Sequence, residues 1–172
     1  MKAINILVIA FFLNVIMGFN LLSQTPDNNL IKYYSALLTI NLNHSSELTK
    51  VLYSLIKEPA FDKDFLEDQL NNIQQNIDEA NDDIASISIN TLNEQSKEID
   101  HYINNIDKHL ANVLVDIESI RTDLKNESNI SSYISDMYFQ IKNAENEDHR
   151  EIKRILNLKD FDEPVLVVPD QQ

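Results

Sequence analysis

The sequence predicts an all-α protein: an up-down-up-down antiparallel four-helix bundle with long helices, preceded by a cleavable signal peptide. Three observations carry this expectation. Glycine occurs once in 172 residues, as Gly18 in the N-terminal apolar segment. The rest of the chain therefore has no residue that takes positive φ without cost, which argues against hairpin-rich β folds and glycine-rich phosphate loops. Ile99, Ile103, Ile106, Leu110, Val113, Ile117, Ile120 and Leu124 recur at alternating spacings of four and three, the period of one helix face. A stripe of that length needs other helices to bury it, and further segments with similar stripes lie between residues that stop and cap helices.

Residues 1–23 read as a signal peptide. Lys2 supplies a minimal basic n-region, and Ala3 to Phe19 is apolar apart from Asn5 and Asn14. Cleavage is expected after Gly18 or after Ser23. The rival is an uncleaved anchor of about the minimum spanning length. Small residues close the run and no basic cluster follows it, so cleavage is favoured, with no membrane span in the mature chain. The expected location is extracellular, or periplasmic in a Gram-negative bacterium.

The bundle is expected over 24–158. Thr25-Pro26-Asp27 suits a helix start, with a capping hydroxyl, a proline at the first position and an acid at the positive end of the dipole. The first helix, about 27–57, has the stripe Leu30, Tyr34, Leu37, Leu48, Val51, Leu52 and Leu55. Asn41 and His44 fall on the same face and are expected to form a buried polar layer, or to mark a kink. Glu58-Pro59-Ala60 ends this helix. Asp62 then caps the second, about 62–88, and Phe61 staples onto Leu66.

The second helix shows Leu66, Leu70, Ile73, Ile77, Ala80, Ile84 and Ile87. Its register fails after Ile87, because the next apolar positions are Leu92 and Ile99. Thr91-Leu-Asn-Glu94 follows the slip and fits a capping box. A tight turn near 88–91 is therefore preferred to one helix of roughly 65 residues, which would be near 100 Å long. The third helix, about 92–125, ends at Lys125-Asn-Glu-Ser-Asn129. The fourth, about 129–158, carries Ile130, Ile134, Met137, Ile141, Ala144, Ile152, Ile155 and Leu156 around a charged middle, Glu145 to Glu151. Residues 159–172 form an extended tail in which Val165-Leu-Val-Val168 stands between two prolines.

The chemistry that these residues support is narrow. Cysteine is absent, which removes disulfides, thiolate metal sites and cysteine nucleophiles. Glu98-Ile-Asp-His101 matches half of a di-iron bundle motif. At 100° per residue, however, both side chains fall well away from the Ile99–Leu110 seam, so a solvated face is expected instead. No catalytic residue, metal ligand or cofactor site is nominated. Asn43, Asn126 and Asn129 head N-x-Ser/Thr sequons and are conditional glycan acceptors if the host is eukaryotic. Tyr133 to Phe139 reads as core filling, with a hydrophobic ligand pocket as the alternative.

The formal net charge of −14 repels nucleic acid and anionic lipid and suits a cationic partner. The functional expectation is a secreted, non-enzymatic binding or effector protein acting through protein–protein contact. Its alternatives are a carrier of a lipid or other hydrophobic ligand and a structural coiled-coil oligomer.

Overall fold

The computed structural model describes residues 28–58, 61–91, 93–124 and 127–158. The signal segment, the Thr25–Asp27 cap, Pro59, Asn126 and the Val165–Val168 tail lie outside them. Among the described residues every regular element is helical, and four helical rods pack against one another. They are α1 (Asn28–Leu55), α2 (Lys63–Asn90), α3 (Asn93–Thr122) and a fourth rod. That rod begins as α4 (Glu127–Asn143), passes through a π-helical segment (Ala144–His149) and ends as α5 (Arg150–Ile155).

The core comes from the three–four alternation. Leu66, Leu70, Ile73, Ile77, Ala80, Ile84 and Ile87 of α2 are buried, as are Ile99, Ile103, Ile106, Leu110, Val113, Ile117 and Ile120 of α3. Ile130, Ile134, Met137, Ile141 and Ala144 complete the stripe of the fourth rod. The α2–α3 boundary is a true break. Thr91 takes extended angles, φ −84 and ψ 143, and its hydroxyl donates back to the Ile87 carbonyl at 2.7 Å. That hydroxyl closes the end of α2, and the side chain of Glu94, the other half of the expected capping box, lies outside the described residues. Asp62 accepts from the backbone N–H groups of Asp64 and Phe65, and Phe61 packs against the core.

Helix α1 departs from its expected phase. Leu30 and Val51, assigned above to the core, are 40% and 43% exposed. Leu52 of the expected stripe is buried and Tyr34, Leu48 and Leu55 pack against the core, but the rest of the buried side is Ile31, Ser35, Leu38, Leu42, Ser45, Ser46 and Thr49. The helix carries two stripes about 120–140° apart, and packing selects the one with small hydroxyl side chains. Ser45, Ser46 and Thr49 let α1 approach its neighbours closely, as a stripe of leucines would not. Thr49 satisfies its own hydroxyl at the Ser45 and Ser46 carbonyls, so α1 runs unbroken through the polar stretch.

One polar tie joins α2 to α3. Arg121 donates from Nε to Glu67 at 2.8 Å, from Nη1 to Gln74 at 3.0 Å and from Nη2 to Asn71 at 2.6 Å. Because the guanidinium is only partly exposed and its fork is fully engaged, Arg121→Met is expected to cost about 1 kcal/mol. A fall in the urea midpoint with unchanged slope tests this; a midpoint within error of the native chain's contradicts it.

Candidate functional site: a buried polar layer at a π-turn

The fourth rod holds the least expected arrangement. A strict three–four alternation from Ala144 would next bury positions 148 and 151, leaving Ile152 outside. A π-helical turn accommodates one extra residue. It brings Asp148 and His149 inward together, 6% and 1% exposed, and returns Ile152 to the core at 0%. The sequence places this turn where the apolar stripe lapses for seven residues, between Ala144 and Ile152.

Three other segments meet the turn. From α1, Ser35 is 4% exposed, and its Oγ lies 2.9 Å from His149 Nε2. From α3, Asn105 and His109 stand one turn apart on one face. The Asn105 amide donates to Asp148 Oδ1 at 2.9 Å, and His109 Nε2 is 3.4 Å from Asp148 Oδ2. From α4, Gln140 accepts through Oε1, so His109 carries a proton on Nδ1 for that bond. Asp148 thus accepts a hydrogen bond from Asn105 of α3 across the helix interface, with the His109 ring beside it, which makes its burial tolerable.

Burial pushes His149 down to about 3, with Lys153 as a smaller contributor. The imidazole is therefore neutral at physiological pH and able to exchange one hydrogen bond with Ser35 in either tautomer. Ser35 and His149 are closed to solvent, and the described bonds of Asp148 run to α3. A serine, a histidine and an aspartate are neighbours here without a hydroxyl presented to a substrate. The layer fixes the register of α1, α3 and the fourth rod, since any slip would leave Asp148 or His149 unpaired in the core.

Two measurements follow. The His149 ring is expected to show no titration from about pH 8 to about pH 4.5 by NMR, whereas a midpoint near 6.5 would contradict its burial. The folded value lies below the unfolded one, so this group's contribution is complete above about pH 6.5 and is lost as pH falls toward 3.

The residues singled out from the sequence are dispersed. Asn41 is partly buried on α1 and donates to Asp83 Oδ2 of α2 at 3.0 Å. His44 is exposed, which corrects its assignment to the polar layer: the packed phase of α1 turns position 44 outward, and His149 is the buried histidine. Burial, with Glu79 and Asp82 adding repulsion, raises Asp83 to about 6 against the lowering effect of Asn41. Burial likewise raises Asp116 to about 6, helped by Asp136.

His101 is exposed, edge-on to Tyr102 and 3.3 Å from the Asn105 amide nitrogen. Among the described residues no group of three or more His, Asp or Glu side chains is arranged to hold a metal ion. Asn43 and Asn129 are exposed. Between α1 and α4 lies a groove of about 330 Å³ lined by Thr49, Lys50, Tyr53, Ile134, Ser135 and Tyr138.

Comparison with protein-family models, with curated proteins and with solved structures finds no match. Among the described residues no helix is long and apolar enough to cross a membrane.

Proposed function

We propose that this chain is a secreted, non-enzymatic helical binding or effector protein that works through protein–protein contact with a partner presenting a cationic surface. The observation that carries this reading is the outer side of α2. Asp64, Asp68, Asp78, Glu79 and Asp82 are exposed along it, in a chain of net charge −14. Carboxylates fixed on one rigid rod give a field that speeds encounter with a basic surface and repels phosphate-rich partners.

The scaffold in this proposal is an up-down-up-down bundle released by signal cleavage, in the extracellular space or, in a Gram-negative bacterium, the periplasm. Its topology is supported by cross-helix pairs mirrored about each connection, Asn41 with Asp83, Arg121 with Glu67 and His109 with Gln140, and by Ser35 with His149 between the first and last rods. Capture from the native extracellular fluid on immobilised mature protein tests the function. A stoichiometric protein partner is expected, and repeated recovery of none counts against the proposal.

A second reading, a carrier of a hydrophobic ligand, draws on the α1–α4 groove. Tyr53 and Tyr138 give it amphipathic walls, and the Lys50 ammonium stands 5.9 Å from the Tyr138 ring centre. A carrier purified from its native source retains a small molecule in native mass spectrometry; an empty protein that ignores apolar probes excludes this reading.

A further inference from the structure

The stripe of α1 that the core covers only along one edge is itself a regular seam. Leu30, Leu37, His44 and Val51 follow one another at intervals of seven, with Tyr33, Ile40, Leu48 and Leu55 interleaved. On a helix of 100° per residue these eight positions fall within about 80° of arc, and His44 is the polar one among them. Tyr33, Ile40 and Val51 are 57%, 45% and 43% exposed, while Leu37, Leu48 and Leu55 are partly buried, the last two against the core. The sequence thus spends a second heptad pattern on a helix that already has a packed face.

We infer that this seam is the contact between two copies of the chain. Charge selects a second copy over a cationic partner at this place. α1 carries Lys32, Glu47 and Lys50, a net +1, in a chain of −14, and Glu47 and Lys50 pair with each other at 2.6 Å. The other rods are all net acidic. Two copies repel through every other side and meet without that penalty along α1, where a basic helix would find little to neutralise.

The seam from Leu30 to Leu55 is about 38 Å long at 1.5 Å per residue. A helix pair of that length buries on the order of 1,000 Å² in total, the lower bound for a specific interface. Heptad spacing supplies knobs and holes for an identical helix, and an isologous pair uses the same surface on both subunits. His44 at a seam position limits strength and favours a single register. This inference stands independently of the acidic-face reading, which concerns α2.

Sedimentation equilibrium of the mature chain tests it, from low micromolar to about 200 µM. A reversible dimer is expected. It should tighten as NaCl rises from about 0.1 to about 0.5 M, because screening relieves repulsion between the acidic subunits. Ile40→Glu and Val51→Glu change exposed positions, so circular dichroism should remain that of the native chain, while each weakens the dimer at least about 10-fold. Ala111→Glu, on the exposed side of α3, leaves the dimer constant unchanged.

A monomer throughout the range overturns the inference, as does a dimer indifferent to both seam variants. A monomer whose seam variants lose a captured protein overturns it too and assigns the seam to that partner. Loss of capture on neutralising α2, with the dimer intact, bears on the function alone.

Discussion

Asp83→Asn raises the stability of the protein by about 2 kcal/mol above pH 7, and the gain disappears as the medium is acidified below pH 5. Asp83 is 5% exposed on α2, and burial, followed by repulsion from Glu79 and Asp82, raises its carboxyl to about 6 despite the bond from Asn41. The folded value lies above the unfolded value of 3.8. The folded state therefore binds the proton more tightly, and the stability this confers is complete below about pH 3.8 and lost as pH rises through 6.

At neutral pH the native chain thus holds a charge where it is poorly solvated. Asparagine keeps an acceptor for the Asn41 amide and removes the charge. For a chain of this size the expected rise in Tm at pH 7.5 is about 4–8 °C. Thermal unfolding of both proteins from about pH 4 to pH 8 measures it. Parallel curves at all pH values would show that the carboxylate is well solvated after all. His149 acts in the opposite sense over the same range, because acid must charge a buried ring. The native chain should accordingly show a flatter acid limb than Asp83→Asn.

Leu110→Ala is expected to cost about 3 kcal/mol, within the usual range of about 2–5 for a fully buried leucine. Leu110 is 0% exposed in the middle of α3, and α3 packs against α2 and the fourth rod. The chain has no cysteine, so no disulfide offsets a cavity. A loss of this size is a large share of the roughly 5–15 kcal/mol that holds an ordinary domain together. Chemical unfolding should show the midpoint falling without a change of slope. Val115→Ala, five residues away and 65% exposed, should remain within about 0.5 kcal/mol of the native chain. Equal effects at the two positions would mean that α3 faces its neighbours in another register.

Much of the fold was legible in the sequence because three of the stripes have a single solution. Between Leu66 and Ile87, and between Ile99 and Ile120, one apolar position recurs every three or four residues and the opposite face is mostly polar, exposed Val115 apart, so register follows from spacing. The Thr91 break was legible because a phase slip and a capping residue coincide. α1 was misphased for a physical reason: Leu30–Val51 is more hydrophobic than Ser35–Thr49, and hydropathy ranks it first. Packing selects by shape as well, and the small hydroxyl face, which brings Ser35 to His149 of the fourth rod, is the one buried.

The polar layer was hidden for a related reason. Glu145 to Glu151 reads as a solvated run because the position that continues the stripe is an aspartate, and the π-turn is needed to bring His149 inside beside it. The seven-residue lapse between Ala144 and Ile152 was the available signal. Its partners Ser35, Asn105, His109 and Gln140 sit on three other segments, and no local pattern in the sequence joins them. His44 was chosen as the core histidine from the phase of α1, and it fell with that phase.

The central functional claim is that the acidic side of α2 recruits a cationic partner. The affinity of the captured partner for the native chain and for a variant carrying Asp68→Asn, Asp78→Asn and Asp82→Asn, each measured at low and at moderate salt, tests it most directly. The claim predicts that the variant binds at least about 10-fold more weakly at low salt and that the gap narrows as salt screens the native charges. Equal affinities for the two proteins at low salt would contradict it.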